Sequence, residues 1–250
     1  MFNRFWNKWK LKSSKEEIAI DSIEKAIKTL FEFIPKEKII SIYIKGSFVR
    51  REMDEKSDVD IVPIMFDNES LKKVKELNAE HAKSYAPSEL LPKSLEEFEK
   101  NKRHSKTTKL QGGIDIFLRN LHNYELIYGQ PLDSKIYKIR SDEEFLQGHL
   151  FAFKNTFIPM YENNEFGFRE LIKQIFFLVQ REIRLEGKEP PYSWKELANS
   201  IKDQEHIIHD ALRLRLNPTK DSNKRKYLLK KLKKYIENLE SKLNSNNRLD

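Results

Sequence analysis

The sequence predicts an α+β N-terminal domain built on a small mixed sheet, followed by an α-helical C-terminal domain. Segments rich in β-branched residues, which are typical of strands, cluster before residue 120, whereas later segments repeat their apolar residues at helical spacing. The length of 250 residues fits two domains of ordinary size. We place the first domain at residues 1–140 and the second at residues 141–250, which end in a basic tail.

The N-terminal segment, Met1–Lys12, combines basic and aromatic side chains. The aromatic residues stand at helical spacing: Phe2, Phe5, Trp6 and Trp9. A helix of this composition can lie on a membrane surface. Packing against the protein body, or contact within an oligomer, is the more common use of such a segment and the one that we favour, so membrane contact stays a minor alternative.

The first long helix is predicted to begin at Ser14 and to end before Pro35. Ser14 and Glu17 have the spacing of a capping box, in which the side chain of each residue satisfies the backbone N–H of the other. The buried face of this helix is expected to contain Ile18, Ile23, Ile27, Leu30 and Ile34.

Three strands are predicted, over Lys38–Lys45, Asp58–Phe66 and Gly113–Leu118, because their sequences are β-branched and alternating. Pro63 predicts an edge position or a bulge near the end of the second strand, since proline has no backbone N–H to donate. Helices are predicted between the second and third strands, over Leu71–Tyr85 and Leu95–Lys100.

The C-terminal half is predicted to be helical. Apolar helical patterns cover Leu150–Tyr161 and Glu170–Leu185, and the second of these ends at Gly187. Ser193 and Glu196 have the spacing of a capping box that opens a further helix. The last helix has a leucine-rich face: Leu228, Leu232, Ile236, Leu239 and Leu243.

The composition excludes several classes of site. The chain has no cysteine, so disulfides, thiolate metal sites and a cysteine nucleophile are excluded. Every apolar run is shorter than the ~18 residues of a membrane span, and the N-terminus lacks the apolar stretch of a signal peptide, so we expect a cytoplasmic protein. The sequence also lacks the P-loop, the Rossmann glycine fingerprint and a Ser-His-Asp signature.

The positive charge is concentrated at the two ends of the chain. Of the net charge of +8, residues 1–15 contribute +5 and residues 219–250 contribute +6, which leaves −3 for residues 16–218. A protein that binds a DNA duplex normally carries its basic patch on the folded body, so we expect no duplex DNA partner. A basic tail remains compatible with contact to RNA or acidic lipid.

Residues 46–60 combine the features of a phosphate-binding turn and a metal site. Gly46 directly follows the first strand, where a residue without a Cβ lets the backbone approach a phosphate, and Ser47 adds its hydroxyl and N–H. Asp58 and Asp60 stand two apart on the second strand, so both carboxylates lie on one face. Carboxylates this close repel each other unless a cation lies between them, and Mg²⁺ prefers oxygen ligands.

Asp115 is the third candidate metal ligand, because its flanking residues Ile114 and Ile116 would face the other side of a strand. If that strand lies beside the second strand, Asp58, Asp60 and Asp115 form a cage for two Mg²⁺ ions. Such a cage suits in-line phosphoryl transfer, in which two metals about 3.5–4 Å apart hold the attacking and leaving oxygens. Asp115 is expected to bind the metal at the attacking hydroxyl or to assist in removing its proton.

The motif resembles that of nucleotidyltransferases of the DNA polymerase β type, GSxARGx(5)SDxDL. This chain has Gly46-Ser47, then Arg50 and, at the same separation as in the family, Ser57–Asp60. Two positions depart from the pattern: Val49, where small residues are usual, and Arg51, where glycine is common. Arg51 would either add positive charge near the phosphates or reshape the turn.

The resemblance implies nucleotide binding by Gly46, Ser47, Arg50 and a lysine of the helical domain. Residues 187–197 resemble part of the C-terminal domain of aminoglycoside-type nucleotidyltransferases, where a lysine reaches the triphosphate, and Lys195 is the candidate for this role. Two structural alternatives stay open: Lys195 as a solvated surface residue and Arg50 as a partner in a surface salt bridge.

The resemblance further implies an enzyme that transfers a nucleoside monophosphate from a nucleoside triphosphate, with ATP favoured, to a hydroxyl acceptor and releases pyrophosphate. The acceptor could be a small molecule such as an aminoglycoside or, as in minimal nucleotidyltransferases, a protein side chain; RNA is a third alternative. A non-catalytic nucleotide-binding regulator is the competing class, against which the three intact carboxylates argue.

Overall fold

A computed structural model describes residues 2–104 and 112–246. The chain divides into two compact units, Met1–Ile139 and Arg140–Asp250. The first contains a mixed sheet with helices, and the second is helical, so the predicted α+β fold class is confirmed. Each unit is described by itself below.

The sheet of the first unit is built around two central antiparallel strands, β1 (Ile39–Lys45) and β2 (Val59–Met65). On the far side of β1, β5 (Glu125–Gly129) pairs antiparallel with it. On the far side of β2, two short strands pair in parallel: β3 (Ser88–Leu90) and β4 (Lys93–Ser94). The spatial order is β3-β2-β1-β5, with β4 also beside β2.

Pro63 lies in an interior strand, so the predicted edge position is wrong. β3 pairs with residues 59–61 of β2 and β4 with residues 64–65, and Pro63 falls between the two pairings. The register of β1 against β2 does shift near the end of β2, but the extra residue lies in β1, between Ile39 and Ser41, and Pro63 itself pairs with Ile42. A residue without an N–H is therefore tolerated where the pairing of β2 with its parallel neighbours is interrupted.

Five helices accompany this sheet in the described residues. They are α1 (Ser14–Phe33), α2 (Ser47–Arg50), α3 (Asn68–His81), α4 (Leu95–Glu99) and α5 (Asp115–Arg119). Short 3-10 turns cover Phe5–Lys8, Lys36–Lys38, Ala82–Tyr85, Leu121–Asn123 and Ser134–Ile136. The predicted helix over Leu71–Tyr85 is thus α3 followed by a 3-10 turn, and the one predicted over Leu95–Lys100 is α4.

Helix α1 begins with a capping box one residue earlier than predicted. The Ser13 hydroxyl accepts from Glu16 N, and the Glu16 carboxylate accepts from Ser13 N at 2.8 Å. Ile23, Ile27, Leu30 and the following Ile34 are buried as expected, but Ile18 is 58% exposed. Ile18 precedes Ile23 by five residues, or about 140° around the helix, which takes it off the buried stripe.

The predicted strand over Gly113–Leu118 is wrong. Asp115–Arg119 form the short helix α5, and Ile114, Phe117 and Leu118 are buried at the i, i+3, i+4 spacing of a helix. A short apolar run does not distinguish a strand from a buried helical turn by its periodicity. The place of a third long strand in the sheet is taken by β5, which the sequence analysis did not predict.

The two faces of the sheet pack against different helices. On the face that we call the α1 face, Ile42, Ile44, Val59 and Ile61 join one apolar cluster with side chains of α1 and α3. On the opposite face, called the α5 face, Tyr43, Val62 and Ile64 pack with side chains of α4 and α5: Phe98, Ile114 and Phe117. Alternation along the strands places Lys45 and Asp60 on the α5 face as well.

The N-terminal segment packs against the first unit, which confirms the interpretation that we favoured. Phe5 and Trp6 are buried and belong to the same apolar cluster as Phe48 of α2. The backbone N–H of Asn3 donates to the carbonyl of Ile127 in β5 at 2.9 Å. The predicted continuous helix over this segment is wrong, since only one 3-10 turn forms.

In the described residues of the second unit, the regular secondary structure is helical. The helices are α6 (Asp142–Ala152), a π-helical turn (Phe153–Phe157), α7 (Ile158–Glu162), α8 (Phe168–Leu185), α9 (Trp194–Ser200), α10 (Ile207–Leu216) and α11 (Ser222–Asn246). Gly187 adopts φ 74° just after α8, and Ser193 caps α9, both as predicted. The five predicted apolar residues of α11 are all buried in the core of this unit.

Across the described part of the chain, no helix combines the length and the hydrophobicity that crossing a membrane requires.

Candidate active site

The turn between β1 and α2 is made possible by Gly46. Its φ of 87° and ψ of −151° belong to a region that glycine adopts and residues with a Cβ avoid. A Cβ placed on Gly46 would also lie 3.0 Å from Oδ2 of Asp60, closer than neighbouring atoms normally approach. The glycine therefore shapes the turn and leaves space for the carboxylate, while the half-buried Ser47 begins α2 directly after it.

Asp60 is held in an ion pair at the end of the two central strands. In the β1–β2 register it lies opposite Lys45, whose Nζ is 2.6 Å from Asp60 Oδ2. Asp58 precedes β2 by one residue and is exposed, whereas Val59 between the two aspartates is buried. The predicted alternation at the start of the strand is thus present.

Glu89 is a residue of this site that the sequence analysis missed. The parallel register of β2 and β3 makes it the direct neighbour of Asp60. The hydroxyl of the adjacent Ser88 forms a 2.7 Å hydrogen bond with the hydroxyl of Ser22 in α1, so Ser88 lies on the α1 face. Because side chains alternate along a strand, Glu89 lies on the α5 face. Burial raises the pKa of Glu89, and the charges of Asp60 and Asp58 raise it further, while Lys45 opposes them.

A single signal in the sequence could have pointed to Glu89. It is a charged residue between Ser88 and Leu90, both buried, in a segment otherwise made of small and apolar residues. β3 has only three residues, too few for alternation to predict a strand. The pairing that brings Glu89 to Asp60 depends on tertiary structure.

Asp115 lies on α5, the helix that covers the α5 face of the sheet, and its side chain is 1% exposed. Burial lowers the pKa of Arg103, and the negative charge of Asp115 opposes this shift. Within residues 2–104 and 112–246, no group of three or more acidic or histidine side chains is arranged to hold a metal ion. The shared cage of Asp58, Asp60 and Asp115 stays a prediction.

The donor set around Asp60 nevertheless fits a hard cation. Asp58, Asp60 and Glu89 offer carboxylate oxygens, the ligands that Mg²⁺ prefers. Asp60 and Glu89 are neighbours in the β2–β3 register, and the charges of both aspartates contribute to raising the pKa of Glu89. The Lys45 ammonium at 2.6 Å stands as the positive charge beside Asp60. A cation bound here would balance part of the negative charge of Asp60 that Lys45 balances in this structure.

The two arginines of the motif have structural partners. Arg50 forms a salt bridge with Glu52 at 3.0 Å, and these two side chains are 6% and 10% exposed. The salt-bridge alternative is thus present for Arg50, but the pair is buried and does not lie on the surface. Arg51 adopts a left-handed conformation at φ 56° and forms an ion pair with Glu16 at 2.9 Å. The Arg51 guanidinium is thus paired with a carboxylate of α1, and its effect on the shape of the turn stays a prediction.

Lys93 is a second titratable residue that the sequence analysis missed. It lies on β4 opposite Ile64, is 7% exposed, and places its Nζ 5.4 Å from the centre of the Phe117 ring. Burial lowers the pKa of Lys93 to about 7, helped by the charge of Arg103 and opposed by that of Glu97. The α5 face therefore buries a lysine on a strand that pairs with β2.

The remaining candidates lie in the second unit. Lys195 is an exposed residue in the first turn of α9, and its proposed contact with the nucleotide stays a prediction. His206 accepts a hydrogen bond from Ile208 N at the start of α10 and contacts the Tyr235 ring edge-on.

Comparison with known proteins supports the motif. The nucleotidyltransferase domain family matches residues 20–181. No curated protein matches the chain. A solved spectinomycin adenyltransferase, AAD(9) from Enterococcus faecialis with ATP and spectinomycin, is similar at 15% identity and a TM-score of 0.45, over 86% of this chain and 98% of that one. A toxin-antitoxin structure with AMP-PNP is similar at 20% identity and a TM-score of 0.30, over 57% and 88%.

The family match spans well over half of the chain and includes the Gly46 turn, both aspartates of the motif, Glu89 and Asp115. The fold places these residues at the end of the central strands and on the α5 face of the sheet. The chain belongs to the nucleotidyltransferase domain family and is an enzyme of the nucleotidyltransferase type.

Proposed function

We propose that this enzyme transfers a nucleoside monophosphate from ATP to a hydroxyl group of its acceptor, in the presence of Mg²⁺, and releases pyrophosphate. The observation that carries the proposal is the position of the Asp60 carboxylate. It fits into the space left by Gly46 and lies beside both Lys45 and Glu89. A phosphate-binding turn and a carboxylate group are thereby placed side by side, as nucleotidyl transfer requires.

The turn and the aspartates have separate roles in this proposal. Gly46 and Ser47 bind the phosphates of the nucleotide, with the backbone of the turn close to the phosphate oxygens. Asp58 and Asp60 would hold two Mg²⁺ ions, with Asp115 as the further proposed ligand. When bound, Mg²⁺ supplies the positive charge that stabilises the phosphoryl oxygens during transfer.

Glu89 is proposed as the general base. In the reaction, the acceptor oxygen forms a bond to the α-phosphorus while the bond from that phosphorus to the pyrophosphate oxygen breaks, and the hydroxyl proton passes to the Glu89 carboxylate. Burial and the two aspartates raise the pKa of Glu89, which makes its carboxylate a stronger base than an exposed glutamate. Asp115 is the alternative acceptor of this proton.

Arg50 and Lys195 remain proposed contacts to the nucleotide. Arg50 lies at the end of the phosphate-binding turn but is paired with Glu52, so it would bind a phosphate only as part of that pair or by exchanging partners. Lys195 is exposed in the first turn of a helix, where the helix dipole favours anions. We propose a small molecule such as an aminoglycoside, or a protein side chain, as acceptor; the charge of −3 on residues 16–218 disfavours RNA.

The experiment that tests the proposal supplies Mg²⁺ and each labelled triphosphate together with aminoglycosides, lysate proteins or RNA. We expect label from ATP in one acceptor fraction and an equal amount of pyrophosphate, both absent with Asp60→Asn. Nucleotide binding without pyrophosphate release in every fraction would contradict the proposal and support a non-catalytic regulator. Transfer that is equal in wild type and Asp60→Asn would contradict the role of Asp60 in this mechanism.

A further inference from the structure

The N-terminal segment contacts the phosphate-binding turn at Phe48 and contacts Arg51 at the end of that turn. We propose that Arg51 is a positioning residue that fastens residues 2–12 and α1 to the turn Gly46–Arg50, so that the N-terminal segment is a supporting part of the nucleotide site. This inference rests on the proposed function for the role of the turn. In the described interactions, Arg51 contacts neither the carboxylates of β2 nor Glu89.

The conformation of Arg51 calls for a compensating interaction. Its φ of 56° and ψ of 40° lie in the left-handed region, which residues with a Cβ rarely adopt. The residue ends α2, and its N–H donates to the carbonyls of Phe48 and Ser47. The arginine therefore holds a strained position at the end of the turn, which persists only where the surroundings fix it.

The guanidinium supplies that fixation through three hydrogen bonds. Its Nε donates to Glu16 Oε1 at 2.9 Å, and its Nη2 donates both to Glu16 Oε2 at 3.0 Å and to the carbonyl of Leu11 at 2.6 Å. Glu16 is buried and is itself fixed by the capping box with Ser13. A two-pronged arginine–carboxylate pair of this kind restricts orientation as well as distance.

The same guanidinium lies over Trp9, 4.5 Å from the centre of the ring. The Trp9 ring in turn contacts Phe48, the residue after Ser47, with 5.1 Å between ring centres. Phe5 and Trp6 contact Phe48 edge-on at 5.9 and 6.0 Å. Phe48 is fully buried in this aromatic group. The N-terminal segment therefore contacts the turn at Phe48 and, through Arg51, at the end of the turn.

The turn has little intrinsic order of its own. α2 contains four residues, too few for a helix to be stable without tertiary contacts, and Gly46 before it is the most flexible residue type. The two attachments at Phe48 and Arg51 therefore set how well the Gly46 and Ser47 backbone is ordered. A loosened turn is expected to bind the nucleotide less tightly while leaving the carboxylates in place.

Arg51→Gly tests this directly, because glycine adopts the left-handed backbone without strain and the substitution removes the arginine side chain with its guanidinium. We expect at least a tenfold higher KM for the nucleotide, a smaller change in kcat, and faster hydrogen exchange at the Arg50, Arg51 and Glu52 amides, which bond within the turn. Arg51→Lys, which keeps the charge but not the paired geometry, is expected to restore part of the KM.

Arg4→Ala is the matched control. Arg4 also joins the N-terminal segment to α1, through Glu24 at 2.8 Å, but that pair is exposed, so we expect wild-type KM and wild-type exchange. An unchanged KM in Arg51→Gly would overturn the proposal, whether or not exchange at the turn became faster. If the wild type itself showed no turnover, the proposed function would fail, and unchanged exchange in Arg51→Gly would separately overturn the attachment.

Discussion

The two faces of the central sheet use the same strands for different purposes. On the α1 face, Ile42, Ile44, Val59 and Ile61 are buried in one apolar cluster with α1 and α3. On the α5 face, the same two strands present Lys45 and Asp60, and the short strands β3 and β4 add Glu89 and Lys93. The difference shows that one strand can hold the fold with the side chains of one face and build a reactive site with those of the other.

The contrast also explains where titratable groups are tolerated. The α1 face is made of apolar side chains that gain stability by leaving water. The α5 face places charged groups beside neighbours of opposite charge, such as Lys45 beside Asp60. Substitutions of Asp60 and Glu89 on the α5 face are thus expected to affect activity, and substitutions on the α1 face to affect stability.

Asp60→Asn is expected to have the largest effect and to confine it to activity. The substitution keeps the shape of the side chain but removes the charge at the centre of the site, so kcat should fall by at least ~10²–10³. The Lys45 pair is partly exposed, so the melting temperature should change little. Initial rates at saturating Mg²⁺ and a thermal melt would check both; wild-type activity in the variant would remove Asp60 from the mechanism.

Ile42→Ala tests the opposite face. Ile42 is fully buried on the α1 face, and truncating a core isoleucine to alanine typically costs about 2–5 kcal/mol of unfolding free energy. The activity per folded molecule should stay close to that of the wild type. Denaturant unfolding measures the loss, with the exposed Ile18→Ala as the control that should cost almost nothing. Equal losses for the two variants would contradict the assignment of the core.

Glu89→Gln sharpens the comparison within the α5 face. A general base contributes about 10²–10⁴ to the rate, so kcat should fall by at least the lower figure. The pKa of Glu89 is raised above the usual 4.5 of a glutamate. The wild-type rate should drop as the pH falls through this raised pKa, because the protonated carboxyl no longer accepts a proton. A pH–rate profile of Glu89→Gln that keeps this acidic limb would assign the limb, and the base, to another group such as Asp115.

Lys93→Met is expected to have a pH-dependent effect on stability. The pKa of Lys93 is lowered from 10.5 to about 7 in the fold, so between these two values the unfolded chain binds a proton that the folded chain does not. The stability of the wild type should therefore rise with pH across this window, by about 1.4 kcal/mol for each pH unit. Denaturant unfolding at pH 7 and pH 9 should show the rise in wild type and in the exposed control Lys83→Met, and its absence in Lys93→Met.

Much of the fold could be predicted because it follows from local patterns. The apolar stripe of α1, the alternation of β1 and β2, and the leucine face of α11 all have the period of the element that they form. α5 was predicted as a strand because its apolar run is too short for a period to be decisive. β3, β4 and β5 were not predicted, because two of them contain only two or three residues and their pairing depends on residues distant in sequence.

The sequence by itself determined the turn and the two aspartates of the site, because Gly46, Ser47, Asp58 and Asp60 lie within fifteen residues and their spacing follows from strand geometry. It also determined which family to expect.

Only the tertiary structure decided that Glu89 is the neighbour of Asp60, that Asp115 lies on a helix, and that Arg51 holds the N-terminal segment to the turn. The first and last of these relations join residues 29 and 40 positions apart. Local sequence patterns report only the period of one element, whereas contacts between elements are selected by the burial and charge pairing of the whole unit.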